Sequence, residues 1–274
     1  MTALGRATAQ ASKDLLVVSD TPRLDAELLL AAALGIARDR LLLDPPPGPP
    51  PPSFAIMVER RRAGEPVAYI TGHRGFWNID LEVGPGVLIP RPDSETLIAA
   101  AVEHFIGGTG PARILDLGTG PGTLLLAALD EWPRATGLGI DFSDSALEYA
   151  RRNAERLGLA PRTELRVGNW ADGVDEAFDL VLANPPYVAR DAALGPGVAE
   201  HEPAEALFAG DDGLDAYRAL APQLVRLIGP GGMAAIEIGS DQADGVSDLL
   251  QMVGLNSRLA RDLAGRPRAL LIIN

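Results

Sequence analysis

The spacing of apolar residues divides the chain into two regimes. Over the first 70 or so residues it is helical. Thr21-Pro22 leads into Leu24, Leu28, Leu29 and Ala32, and Gly35 closes the segment. A capping residue, a proline in the first turn and a terminal glycine predict a helix there. Ser53 to Gly64 repeats the arrangement with Phe54, Met57 and Val58 on one face, and Arg60-Arg61-Arg62 reads as solvated cations at its C-terminus. The intervening prolines, Pro45 to Pro52, are expected to form a stiff polyproline II connector. From Pro66 to Val83 aromatic and alternating positions (Tyr69, Phe76, Trp77, Ile79, Leu81, Val83) predict a short hairpin.

Leu88-Ile89-Pro90-Arg91-Pro92 then forms a constrained turn, which runs into a helix ending near Phe105. Arg91 and Glu95 are candidates to face a site there. Beyond residue 110 short apolar runs alternate with amphipathic segments, the pattern of a mostly parallel sheet covered by helices on both faces. The predicted strands are 113–117, 137–140, 164–167, 178–183 and 232–238. The helices are 123–129, 143–157, 215–228 and 242–253, and the strand candidates 258–261 and 268–273 are expected as an antiparallel edge.

Composition narrows the chemistry. Hydrophobic residues make up 47% and charged residues 22%, ordinary for a globular chain of 274 residues. With no cysteine, disulfides and thiolate chemistry are excluded. His73, His104 and His201 stand singly, so no metal site is expected. No apolar run approaches the roughly 20 residues a membrane span needs. The first 20 residues lack a signal peptide's apolar core, and a cytoplasmic protein is the expectation. A net charge of −13 counts against a nucleic-acid substrate, which would want a basic face.

Four features fall at the carboxyl ends of predicted strands, where open α/β sheets bind ligands. They are the turn Gly118-Thr119-Gly120-Pro121-Gly122, Asp141, Asn169-Trp170, and Asn184-Pro185-Pro186-Tyr187. Glycines let the backbone approach a ligand closely, and the helix that follows offers free N–H groups. Asp141, about 20 residues further on, is placed to accept hydrogen bonds from a ribose diol. No lysine follows the glycines, which argues against a phosphate loop. The two prolines after Asn184 make a stiff corner. The Asn184 side-chain oxygen and the Pro185 carbonyl can take the two protons of a flat –NH2 group, with Tyr187 packed on its face.

The spacing Gly118-x-Gly120-x-Gly122 after Asp116 resembles the first motif of class I S-adenosylmethionine-dependent methyltransferases. Asn-Pro-Pro-Tyr narrows the resemblance to enzymes that methylate planar nitrogens. Further segments resemble the peptide chain release factor glutamine methyltransferases: Pro66 to Gly72, Leu88 to Pro92, Glu202 to Leu207, Gly210 to Leu214, Glu237-Ile238-Gly239 with Gln242, and Asp262 to Gly265 with Arg268. The family departs from this chain at Gly75-Phe76, often Glu-Phe, and at Asn169-Trp170, often Asp-Trp.

The resemblance implies a Rossmann-like class I methyltransferase sheet with a small helical N-terminal domain and a β-hairpin linker. The expected boundaries are 1–74 for a helical substrate-recognition domain, 75–92 for the linker and 93–274 for the S-adenosylmethionine-dependent domain. It implies a cofactor site of Asp116, Gly118, Thr119, Gly120, Pro121, Gly122, Asp141, Asn169, Trp170 and Asn184, with Asp116 near the amino-acid end and Asn169-Trp170 beside the adenine. Asn184, Pro185 and Tyr187 are the expected catalytic residues, and with Pro186 they form the substrate corner. The implied acceptor is the glutamine amide nitrogen in the Gly-Gly-Gln loop of class 1 release factors. A monomer without direct nucleic-acid or membrane contact is expected. A ribosomal-protein glutamine, an adenine N6 amine and a catalytically idle partner subunit remain as alternatives.

Overall fold

The computed structural model describes residues 2–195 and 197–274. Contacts divide the chain into one unit of Met1–His73 with Ala193–His201, and another of Arg74–Ala192 with Glu202–Asn274. The hairpin falls almost wholly within the second.

The first unit carries α1 (Ala3–Asp14), α2 (Pro22–Leu34), α3 (Arg38–Leu43), α4 (Pro52–Arg62) and α5 (Val67–Thr71). Their apolar faces meet in a core that includes Leu15, Leu29, Leu30, Phe54, Val58 and Ile70. Gly35, at φ 65°, ends α2 in the left-handed conformation that glycine adopts at least cost. The proline run links α3 to α4, and Pro51 has the extended dihedrals of polyproline II. Two local expectations give way. Thr21 makes no capping bond; its hydroxyl donates to Asp25 Oδ1 at 3.3 Å. Arg61 is no solvated cation: its Nε donates to Asp25 Oδ2 at 2.8 Å and its Nη2 to the Val18 carbonyl at 3.0 Å. Both side chains of that pair are largely out of water, 13% and 9% exposed.

Val67–Thr71 is helix rather than the start of a hairpin. Pro66 is extended at the N-cap, where its missing N–H costs nothing, and Gly72 closes the turn at φ 78°. The helical turn buries Ala68, Tyr69 and Ile70 together. The hairpin proper is β1 (His73–Phe76) and β2 (Ile79–Glu82).

In the second unit follow α6 (Glu95–Phe105), β3 (Arg113–Leu117), α7 (Thr123–Glu131), β4 (Thr136–Asp141), α8 (Asp144–Arg156), β5 (Thr163–Val167) and β6 (Phe178–Ala183). The short α9 (Val198–His201) belongs to the first unit. The chain then forms α10 (Asp215–Leu227), β7 (Ile228–Glu237), α11 (Ala243–Met252), β8 (Ser257–Arg261) and β9 (Pro267–Ile273). The seven strands lie in the order β5-β4-β3-β6-β7-β9-β8. The first five pair parallel, and β9 runs antiparallel to both β7 and β8, as the sequence pattern predicts. The chain winds outward from β3 through β4 to β5, then outward from β6 through β7. The reversal lies between β3 and β6, and the crevice beyond their carboxyl ends is the natural ligand site.

Burial on both faces explains the continuous apolar runs: successive residues Ile114 and Leu115, and Leu180 and Val181, which point to opposite faces, are all sealed from water. α7 lies close on β4 because Gly139 has no side chain, since a Cβ there would stand 2.9 Å from Leu125 Cδ2. Asn153 of α8, fully buried, fastens β2 to the glycine turn. Its amide accepts from Glu82 N at 2.7 Å and donates to the carbonyls of Glu82 and Pro121, both at 3.0 Å. Among the described residues no helix is long and apolar enough to cross a membrane.

The Asp25–Arg61 pair yields a stability test. Removing one partner strands a buried charge, at a cost of about 3–5 kcal/mol. Asp25→Ala should lower the urea midpoint accordingly, while removal of the exposed Glu59–Arg62 pair shifts it little. Equal small shifts would show that the buried pair is peripheral to stability.

Candidate functional site

A cavity of about 750 Å³ opens at the carboxyl ends of β3, β4 and β6. The glycine turn forms one wall. Its backbone is pinned by the carbonyl of Ile140, which accepts from Gly118 N at 2.8 Å and Thr119 N at 3.0 Å. Gly118 has φ 73°, and the space where its side chain would begin lies 3.6 Å from the Trp170 ring. Gly118, Thr119, Gly120 and Pro121 line the cavity together with Asn169 and Trp170. Gly122 does not: a Cβ there would meet Leu126 Cδ1 at 2.7 Å, so its bareness serves the seating of α7. Trp170 has φ 51°, a strained value for a bulky residue and of the kind that collects at functional sites.

Two carboxylates hold the turn. Asp116 Oδ2 accepts from the Thr119 hydroxyl at 2.7 Å and from Leu125 N in the first turn of α7 at 3.1 Å. Its Oδ1 is buried without a hydrogen-bond partner. Asp141 Oδ2 accepts from Gly120 N at 2.8 Å, and Oδ1 from Ser143 N at 2.9 Å. The sequence places Asp141 at an open strand end; instead it is only 7% exposed, because the turn folds over it. Burial pushes Asp116 up to about 7 and raises Asp141 as well. The cavity is therefore matched to a ligand that brings donors or positive charge.

The opposite wall is the Asn-Pro-Pro-Tyr corner. Asn184 and Pro186 line the cavity, whereas Pro185 is buried and Tyr187 lies outside the lining. Asn184 Nδ2 donates to Ser94 Oγ at 3.2 Å. The Tyr187 hydroxyl donates to Glu237 Oε1 at 3.4 Å, and burial pushes this phenol up to about 12. Of the two residues suspected in the proline-rich turn, Arg91 lines the cavity and pairs with buried Glu202. Glu95 has another task, accepting from Trp77 N at 2.9 Å to hold the hairpin turn.

Sequence reasoning assigned no site role to Ser94, Glu237 or Glu202. Glu237 did leave a signal, a lone acid ending an apolar strand, as did Arg268, a lone base opening another. Both are buried, and Arg268 Nη2 reaches Asp93 Oδ2 at 2.9 Å.

The pH dependence of stability tests the reading of Asp116. An acid with a raised folded-state pKa contributes stability that is complete below its unfolded value and is lost as pH climbs through the folded one. For Asp116 that window runs from about 4 to about 7. Urea titrations of wild type and Asp116→Asn at pH 5 and pH 8 should show the difference moving in the variant's favour by about 2–3 kcal/mol. A pH-independent difference would mean that the carboxyl is not so perturbed.

The comparisons with known proteins fit this geometry. The methyltransferase domain model matches residues 110–245, and the PrmC N-terminal domain model matches residues 6–72. The release factor glutamine methyltransferase of Rhodospirillum rubrum is 46% identical over 258 residues, covering 92% of this chain and 79% of that protein. That of Caulobacter vibrioides is 42% identical over 259 residues, covering 92% and 89%. Among solved structures, a methyltransferase from Pyrococcus furiosus shares the fold with a TM-score of 0.55 at 20% identity, over 72% of this chain and 89% of that one. By sequence, over 92% of its length, the chain belongs to the release factor glutamine methyltransferase family.

Proposed function

We propose that this protein methylates the side-chain amide nitrogen of the glutamine in the Gly-Gly-Gln loop of class 1 peptide chain release factors, with S-adenosylmethionine as methyl donor. The observation that carries the reading is identity above 40% to proteins named for that activity, over 92% of the chain. The corner supports it, because Asn184 sits on the cavity wall with its Nδ2 already engaged.

The cavity suits the donor. Asp116 Oδ1 is a buried acceptor lacking a partner, and an ammonium group would satisfy it while drawing the carboxyl into its charged form. Asp141, which accepts only backbone N–H groups, keeps acceptor capacity for a ribose hydroxyl. Asn169 and Trp170 border the cavity beyond them, where an adenine would rest. When bound, S-adenosylmethionine supplies an electrophilic methyl group on a sulfonium.

The residues on the other wall act on the acceptor. An amide nitrogen is a poor nucleophile, since its lone pair is delocalised into the carbonyl. Asn184 Oδ1 and the Pro185 carbonyl would each take one of its N–H groups, fixing its orientation and favouring positive charge developing there. Tyr187 would pack beside the amide. A nitrogen that has gained a methyl group sheds its surplus proton readily to water, so no dedicated base is needed. The helical unit would recognise the rest of the release factor.

Asn184→Ala should lower kcat by about 100-fold, the scale of losing one positioned hydrogen-bonding group at a reacting centre. Cofactor affinity by calorimetry should change much less. Near-normal turnover in the variant would reduce the corner to a structural turn.

The acceptor is tested with radiolabelled S-adenosylmethionine and four substrates: intact release factor, a short Gly-Gly-Gln peptide, duplex DNA and total RNA. Label should enter intact release factor strongly and the peptide weakly, because remote contacts position the loop. Label in nucleic acid with none in release factor would overturn the assignment.

A further inference from the structure

The corner from Asn184 to Tyr187 is stiff, but stiffness alone does not set where its acceptors point. Pro185 and Pro186 have fixed φ and no N–H groups, so no backbone donor can tether the middle of the corner. Rotation about ψ on either side of them stays free, and it turns the Pro185 carbonyl. With both φ values locked, holding the two ends of so short a segment removes that freedom. At the entrance, Ala183 is paired in the sheet with Leu117 and Ile236, and Asn184 Nδ2 donates to Ser94 Oγ at 3.2 Å. The exit is Tyr187.

The Tyr187 carbonyl is taken by Gln242 Nε2 at 2.9 Å. The same nitrogen donates to the Gly213 carbonyl at 3.2 Å, and Gln242 Oε1 accepts from Gly239 N at 3.0 Å. A primary amide carries two donors at one end and an acceptor at the other. Here backbone groups of fixed character face both ends, so the side chain has one orientation. Its own backbone is held as well: Gln242 N donates to the Gly239 carbonyl at 3.1 Å, and its carbonyl accepts from Val246 N at 3.0 Å. Although Gln242 stands at the start of α11, its side chain makes no capping bond to that helix.

Two glycines clear the space around this amide. A Cβ on Gly239 would stand 2.8 Å from Gln242 Oε1. One on Gly213, where φ is 74°, would stand 2.4 Å from the Tyr187 carbonyl oxygen and 2.8 Å from Gln242 Nε2. Beyond the exit, Val188 N donates to the Leu207 carbonyl and Ala209 N to the Val188 carbonyl, both at 2.9 Å. The chain leaving the corner is thus laid against 207–209, and Gln242 pins it at Tyr187. We propose that Gln242 is a positioning residue: its amide anchors the exit of the corner and so aims the Pro185 carbonyl at the acceptor nitrogen. The inference rests on the function proposed above. Glutamate has the same shape, but an ionised carboxylate offers only acceptors to the two carbonyls. Methionine fills a similar volume and donates nothing.

The experiment measures kcat and KM for intact release factor at saturating S-adenosylmethionine, with cofactor affinity by calorimetry and a melting temperature for each variant. The panel is wild type, Gln242→Met, Gln242→Glu, Asn184→Ala and the double variant Gln242→Met with Asn184→Ala. Gln242→Met should lower kcat about 10-fold, the scale of a small misplacement at a reacting centre. Gln242→Glu should lower it further, with KM and cofactor affinity within about twofold of wild type in both. In the Asn184→Ala background Gln242→Met should cost less than about threefold, because residues that act through one contact are not additive. A nitrogen that has lost one of its two acceptors gains little from the aim of the other. A merely structural glutamine would cost the same factor in both backgrounds. Equal factors, or Gln242→Met within twofold of wild type while Asn184→Ala fails, would overturn the role of Gln242 and leave that of Asn184 standing. If Asn184→Ala turns over normally, the reading of the corner falls and the role of Gln242 with it. Should Gln242→Met fail to fold, Gln242→Asn takes its place under the same criteria, since it keeps the amide but is one methylene too short to reach both carbonyls.

Discussion

The site depends on two carboxylates that sit out of water at the ends of adjacent parallel strands. Asp116 and Asp141 are 1% and 7% exposed, and each accepts from the glycine turn between them. A five-residue turn with three positive-φ glycines has many conformations open to it in the unfolded chain. What selects one is a set of acceptors held by strands that cannot move. Asp116 also takes an N–H from the first turn of α7, so one side chain fixes both the turn and the helix after it. Asn153 extends the same logic to β2 through the Pro121 carbonyl. Turn, helix and hairpin are thus held by a handful of buried acceptors and one amide.

The parallel sheet makes such an arrangement possible. The reversal of winding between β3 and β6 leaves a crevice that the connecting loops do not fill. Loops after β3, β4, β5 and β6 all reach it, and each contributes residues to the cavity wall. The corner after β6 differs from the glycine turn in kind. There the prolines supply rigidity directly, by fixing φ and withholding N–H groups, so the corner needs fewer tethers. One wall is a pliable backbone held by carboxylates, the other a stiff backbone carrying one directed amide.

The elements of the sheet were legible because their apolar runs are short, bounded by glycine or charge, and buried on both faces. Ile114 to Leu117 and Leu180 to Ala183 have no other reading. In the antiparallel edge β9 was legible for the same reason, whereas β8 has no buried residue and shows itself only by alternation. The Val67–Thr71 helix was not, because its aromatic and β-branched residues fit a strand's composition, and only packing of Ala68, Tyr69 and Ile70 together favours the helix. Arg61 misled because a basic trio at a helix end is normally solvated. Its burial depends on Asp25, 36 positions away, and no local pattern carries that information. At the site, strand ends and glycines announced themselves through local chemistry. The tertiary acceptors did not: Glu202 reaches Ile89 N across 113 positions, and Ser94 reaches Asn184 across 90.

Asp116 and Glu237 share an unusual condition. Each is buried, pushed up to about 7 by desolvation, and left with one oxygen unpartnered. In a protein selected for stability alone an apolar residue would serve better, because an incompletely satisfied buried acid costs free energy. The cost becomes intelligible if it is offset by something that favours the charged form. For Asp116 a cationic ligand group, as proposed above, would do so, and by linkage the stabilisation of the carboxylate would appear as affinity for the ligand. For Glu237 the groups that favour the charged form are the Arg268 guanidinium and the Tyr187 hydroxyl.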